Sequence, residues 1–227
     1  MGRIPTLSEL LWLPYKPADS GALAGDELRV WWCPHGDASA PRRQRVDALL
    51  RSVLAPTLGL PPAALRFARE SKGRPFLEHA AAVDFNLSDT VGGSLIALSA
   101  NGRIGVDLER RDRAPPVVRL AQRWFSADEA AALAALPAEQ ARIAFLHLWT
   151  AKEASCKATG TGIYGFLCQW LFAVSPEQPA LLSLPEAAGA ASRWRFLRLR
   201  PTPEHTAVLA LRDVPAGPLR CLTLVPD

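Results

Sequence analysis

Nowhere in this 227-residue sequence do about 18 apolar residues run together, and the short early run LLWLP has no basic stretch before it. Neither a membrane span nor export is expected. The four cysteines, Cys33, Cys156, Cys168 and Cys221, form no CxxC pair and no zinc spacing, so the reading is reduced thiols in a cytosolic protein rather than a disulfide framework. His35, His79, His147 and His205 fall into no metal-ligand or triad spacing, and no serine occupies a nucleophile elbow. That lack argues for chemistry done by positioning and electrostatics around a phosphate, without a covalent nucleophile from the protein. Charge of one sign is also modest. A net +4 with a pI near 9.1 is too mild for a dedicated nucleic-acid binder, yet suits an anionic substrate or an acidic partner. MGRIPT matches the myristoylation pattern through Gly2 and Thr6, but so short a pattern matches often by chance and is set aside.

About half of the residues are apolar, enough for a real core, and the length lies between one large domain and two small ones. ELRVWWC reads as a strand, and 42–58 as a helix whose apolar positions are Val46, Leu49, Leu50, Val53 and Leu54. Pro61 and Pro62 then break the chain. FNLS and GSLIALSA read as strands, and the Asn101-Gly102 turn before RIGVDLE predicts a β-hairpin in the middle of the sequence. SADE at 126–129 is a capping box that opens a short alanine-rich helix ended by Pro137, and a longer helix follows over 139–159. Beyond Gly162 the pattern turns to β, with RWRFLRLR and TAVLALR flanking PTPEH as a second hairpin. Each half thus reads as helix plus strands, an α+β order without any residue-level repeat.

In GVDLER, residues two apart share one face of a strand, which sets the carboxylates of Asp107 and Glu109 side by side. Such a pair repels unless a positive group stands between, and a hard cation such as Mg²⁺ is the obvious candidate. The plainer alternative is a solvated strand edge with Arg110 and Arg111 neutralising the acids. In WTAKEASCKATGTG, Trp149, Glu153 and Lys157 recur at i, i+4, i+8 and form one stripe of a helix, presenting a third acid beside a lysine. There the plainer alternative is a surface Glu-to-Lys pair with Trp149 packed in the core. The GTGIYG that follows is formally G-x-G-x-x-G. The dinucleotide fingerprint, however, needs a strand before it and a helix after it, whereas here the helix comes first. Gly160 fits a helix C-terminal cap and Gly162 a bend.

FNLSDT, GRIGVDLE, RWFSADE and LWTAKEASCKATGTGI, in this order and spacing, resemble the 4'-phosphopantetheinyl transferases of the surfactin-type class. That class is marked by a G-[IV]-D-x-E strand and a W-x-x-K-E-[AS]-x-x-K helix. The likeness runs from about 42 to 163, and SKGRPF also looks like the family's G-K-P segment. The resemblance implies a pseudo-twofold duplication of two similar α+β halves, 1–108 and 109–227, in one monomeric chain with the active site in the cleft between them. It implies coenzyme A as substrate, with Mg²⁺ on its pyrophosphate and an apo acyl or peptidyl carrier protein as acceptor. Asp107, Glu109 and Glu153 would be the metal ligands; since three carboxylates exceed the one or two that Mg²⁺ usually needs, the residues themselves suggest Glu153 as general base, directly or through a water. Lys157 would contact the pyrophosphate and stabilise the leaving group, and Arg42, Arg74, Ser88 and Thr90 would lie near the coenzyme A phosphates. The sequence departs from the family where Ser88-Asp89-Thr90 replaces the usual Ser-His-Ser or Ser-His-Thr, and in the absence of evident basic residues from CPHGDASAP. Those departures leave a second expectation, a coenzyme A- or carrier-binding protein of the same fold that has lost turnover.

Overall fold

The computed structural model describes residues 10–35, 41–78, 83–174 and 178–225. The MGRIPT segment and His79 lie outside the described residues. In chain order the elements are β1 (Trp12–Tyr15), β2 (Leu28–Pro34), α1 (Arg42–Leu58), β3 (Phe67–Arg69), β4 (Pro75–Leu77), β5 (Asp84–Thr90), β6 (Gly93–Ser99), β7 (Arg103–Arg110), α2 (Val117–Trp124), α3 (Ala127–Ala134), α4 (Ala138–Thr159), β8 (Leu171–Phe172), β9 (Leu181–Ser183), β10 (Trp194–Leu199), β11 (His205–Arg212) and β12 (Leu219–Leu224). Helices and strands are mixed as an α+β fold. A five-stranded sheet runs β1-β12-β2-β6-β5, a three-stranded sheet runs β10-β11-β7, and two small antiparallel pairs, β3-β4 and β8-β9, stand apart.

α1 lies on the larger sheet, burying Leu50, Val53 and Leu54 with Trp31, Phe85 and Ile96. α4 covers the smaller sheet, with Phe145, Ala151 and Ala154 against Val208 and Ala210. The opposite face of that smaller sheet, carrying Val106, Leu108 and Leu209, packs on Val30, Leu95 and Ala97 of the larger one. Two strands cross between the sequence halves. β12 enters the larger sheet beside β2, and β7, which contains residue 108, pairs with β11 in the smaller.

The capping box forms as expected, since the Ser126 side chain accepts from Glu129 N and the Glu129 carboxylate accepts from Ser126 N. The β10–β11 hairpin also forms. The central hairpin does not. β6 pairs with β2 and β5, whereas β7 pairs with β11 alone. The reason lies in β5, whose alternate side chains stand where a partner strand would. Ile104 N donates to Asp84 Oδ2 at 2.8 Å, Val106 N to Asn86 Oδ1 at 2.9 Å, and Leu108 N to Ser88 Oγ at 3.2 Å. Three short polar side chains thus satisfy the free edge of β7, which the Asn-Gly turn alone does not reveal.

Gly105 explains how tightly α4 sits on this strand. A Cβ there would lie 2.0 Å from Ala154 O and 2.5 Å from Ala158 N, so only glycine admits the helix backbone. At the far end α4 stops at Gly160, whose φ of 72° is left-handed and whose N–H donates to Cys156 O. No dinucleotide-type helix follows the glycines; a short 3-10 turn at Leu167–Gln169 leads into β8.

Candidate active site

Close packing at Gly105 brings the end of α4 against the middle of β7, where Asp107 and Lys157 meet. Lys157 Nζ donates to Asp107 Oδ1 at 2.6 Å, to Ser88 Oγ at 3.0 Å and to Val106 O at 3.1 Å, and lies 4.0 Å from Glu153 Oε2. Ser88 Oγ in turn donates to Asp107 Oδ1 at 3.0 Å. Glu109, further along the same face of β7, accepts from Arg113 Nη1. Asp107, Glu153, Lys157 and Ser88 therefore converge at one point, with Glu109 on its flank. Trp149 anchors the helix beside them in a ring stack, 5.6 Å from Phe145 and 6.3 Å from Phe125 between centroids.

The electrostatics are those of surplus negative charge. Burial, then the charge of Asp107, pushes the Glu109 carboxyl up to about 7. The same two causes, in the same order, push Glu153 up to about 8. Asp107 Oδ2 is buried without a hydrogen-bond partner. Among the described residues no three His, Cys, Asp or Glu side chains already stand close enough to hold a metal ion, and Lys157 and Arg113 occupy oxygens of Asp107 and Glu109. The donors nonetheless fit Mg²⁺: all are hard carboxylate oxygens, one is buried and unsatisfied, and two prefer a proton until a positive charge arrives.

The remaining expected site residues are dispersed around this point. Thr90 ends β5. Arg42 begins α1 with its side chain 69 % exposed and bonded to Asp89. Arg74 lines a small cavity beside Lys157, and its guanidinium is held by internal acceptors. Its Nη2 donates to Asp84 Oδ2 at 2.6 Å and to Ile104 O at 2.9 Å, and its Nε donates to Lys157 O at 2.8 Å. In this structure it is a bracket that ties the end of α4 to β5 and β7.

Arg110 and Arg111 do not neutralise the acids of β7. Arg110 bonds Asp112 and Arg111 donates to Pro203 O, and the cation on Glu109 is Arg113 instead. Two cavities open beside the site. One of about 220 Å³ is lined by Lys157, Asn86, Cys156 and Gly160, and a larger one of about 850 Å³ by Arg42, Arg66, Arg69 and Phe67; both share Pro75 and Leu87. The larger lies away from the carboxylates. The smaller contains Lys157.

An α+β chain with this strand-and-helix constellation belongs to the 4'-phosphopantetheinyl transferase superfamily. The model of that superfamily matches residues 103–211, which contain Asp107, Glu109, Glu153 and Lys157. The 4'-phosphopantetheinyl transferase HetI of Nostoc sp. is 36% identical, over 88% of this chain and 93% of that protein. The transferase psf-1 of Bacillus pumilus is 33% identical over 62% of this chain and 59% of its own length. Sfp of Bacillus subtilis is 31% identical over 52% of this chain and 51% of its own. Likeness to Sfp and psf-1 bears out the surfactin-type resemblance read from the motifs. Among the described residues no helix is long and apolar enough to cross a membrane.

Proposed function

We propose that this enzyme transfers the 4'-phosphopantetheine group of coenzyme A to a serine hydroxyl of an apo acyl or peptidyl carrier protein in the cytoplasm. Asp107, Glu109 and Glu153 would hold Mg²⁺, which when bound supplies positive charge to the pyrophosphate oxygens. The serine oxygen forms a bond to the β-phosphorus, the bond from that phosphorus to the bridging oxygen breaks, and 3',5'-ADP leaves. Lys157, fixed by Asp107 and Ser88, offsets charge growing on the departing oxygen. Glu153, one helical turn from Lys157 on the same face of α4, accepts the serine proton, directly or through a water. On the same reading the two halves, 1–108 and 109–227, flank the cleft as related α+β units of one monomeric chain, interlocked by β7 and β12.

The observation that carries the proposal is the convergence of Asp107, Glu153 and Lys157 between β7 and the end of α4, with Lys157 also lining the smaller cavity. The competing expectation of lost turnover drew most on Asp89 in place of the family's histidine, and the Asp89 carboxylate is paired with Arg42 and lies 3.8 Å from Arg45. The test is to incubate the protein with coenzyme A, Mg²⁺ and several apo carrier proteins and to weigh the products. A carrier heavier by one phosphopantetheine group supports transfer; unmodified carriers across the panel refute it. Asp107→Asn, which keeps the shape and removes the charge, should lower turnover at least about hundredfold with the melting temperature little changed.

A further inference from the structure

β5 sends its side chains alternately to two sides. Asp84, Asn86 and Ser88 cover the edge of β7, while Phe85 and Leu87 join the core under α1. Asp89 continues the second side and ends at the first turn of α1. Its carboxylate is 4 % exposed and is surrounded by two arginines and a histidine. Arg42 Nε donates to Oδ2 at 2.6 Å, Arg45 Nη2 lies 3.8 Å from Oδ2, and His35 Nε2 lies 2.9 Å from Oδ1. Ser94 Oγ donates to Oδ1 at 2.5 Å and is itself 3.0 Å from His35 Nε2. Burial would raise this carboxyl, but the Ser94 hydroxyl and the Arg42 guanidinium outweigh it and hold the group below its ordinary value.

An exposed arginine gains little stability from an ion pair, so α1 does not need Arg42 for its own sake. A guanidinium held by a buried carboxylate has, however, lost its conformational freedom before any ligand arrives, and that is the condition for preorganised phosphate recognition. Arg42 lines the larger cavity, which shares Pro75 and Leu87 with the cavity at Lys157. A long ligand with phosphates at separated points fits such a pair.

We propose that Asp89 is a positioning residue for coenzyme A. It fixes Arg42, with Arg45 and His35 around the same carboxylate, as the anchor for the phosphate on the ribose, apart from the pyrophosphate at Lys157. The inference rests on the reading of coenzyme A as the donor substrate.

Asp89→Asn removes the charge at nearly constant shape, and Arg42→Ala changes an exposed side chain, so the second remains informative should the first fold poorly. Each should raise the KM for coenzyme A about tenfold with kcat unchanged, the size of one lost charge-assisted contact. The double variant should be no worse than Arg42→Ala alone, because both break one unit. Asp89→Glu should recover part of the loss, and with dephospho-coenzyme A, which lacks the ribose phosphate, wild type and variants should share one KM. Calorimetric titration with adenosine 3',5'-bisphosphate should show the same loss of affinity without any transfer step. An unchanged KM in Asp89→Asn, additive effects in the double variant, or a lower KM in Asp89→His would each overturn the proposal. Wild-type protein that binds the bisphosphate in an Asp89-dependent way but modifies no carrier would leave this inference standing while the transfer reading falls.

Discussion

Lys152 and Lys157 stand on the same helix and meet opposite surroundings. Lys152 has no exposed surface. Its ammonium donates to Glu129 Oε2 at 2.8 Å, to Leu167 O at 3.1 Å and to Trp170 O, and lies 4.8 Å from the centre of the Phe125 ring. Burial pushes its pKa down, against the pull of Glu129. Every partner is an internal group, so the closed set ties α4 to the cap of α3 and to the segment that enters β8. Lys157 is 27 % exposed and shares its site with three carboxylates of which one oxygen, Asp107 Oδ2, has no partner. One lysine completes a structure, whereas the other faces charge that remains uncompensated. On the proposed reading, the difference teaches that function in this helix lies where the charge accounting is left open, not where a charge is most deeply buried.

Breaking the closed set should have the largest effect. Lys152→Ala leaves Glu129 buried without its cation, at a cost of about 3–5 kcal/mol in chemical unfolding. Activity per folded molecule should persist. Replacing both members, as in Lys152→Met with Glu129→Gln, should recover much of the loss, since apolar and neutral groups carry no desolvation penalty. A small stability loss with abolished turnover would move Lys152 into the catalytic side of the comparison.

Breaking the open set should do the reverse. Lys157→Ala should lower kcat about hundredfold, as for other groups that meet charge developing in a transition state. Unfolding free energy should change by less than in Lys152→Ala, since Lys157 is 27 % exposed and Lys152 has no exposed surface. Lower stability with unchanged kcat would make it the surface ion pair with Glu153 that the spacing alone also allowed.

Local signals carried most of the fold. Helix α1, the Ser126 capping box, the Gly160 cap and the β10–β11 hairpin each depend on residues close in sequence, and each formed where the pattern predicts. The central hairpin failed because its deciding interactions are made by Asp84, Asn86 and Ser88, side chains about twenty residues away that take the place of backbone partners. For the site, the stripe Trp149-Glu153-Lys157 and the pair Asp107-Glu109 were legible from period alone. Arg113 was not, because it reaches Glu109 from a stretch without helical or strand periodicity; the nearest sign was a third arginine following Arg110 and Arg111. Arg74 was readable as a motif residue but not as a bracket, since its acceptors on Asp84, Ile104 and Lys157 come from three separate elements.

The smallest expected effect concerns His147, on the same helix but on the structural side of the comparison. Its ring is pushed down to about 3, first by burial and then by the charges of Arg198 and Arg111, and its Nδ1 is buried without a hydrogen-bond partner. The folded state therefore keeps the ring neutral, whereas the unfolded chain binds a proton below the ordinary value of 6.5. Between pH 6.5 and 3 the unfolded state holds more protons, so this group's contribution is fully present above pH 6.5 and is lost as pH falls. His147→Leu removes the titration. At pH 7.5 and above the variant should differ from wild type by a constant packing change, and below that range it should gain on wild type, by up to about 1.4 kcal/mol near pH 5.5. Thermal unfolding of the two proteins across pH 7.5 to 5 reads the crossing directly. Parallel curves would mean that the unpartnered ring is hydrated well enough to accept its proton in the folded state. His147 would then belong with Lys157 among the open groups of α4, and the division between a closed inner face and an open cleft would have to be drawn further along the helix.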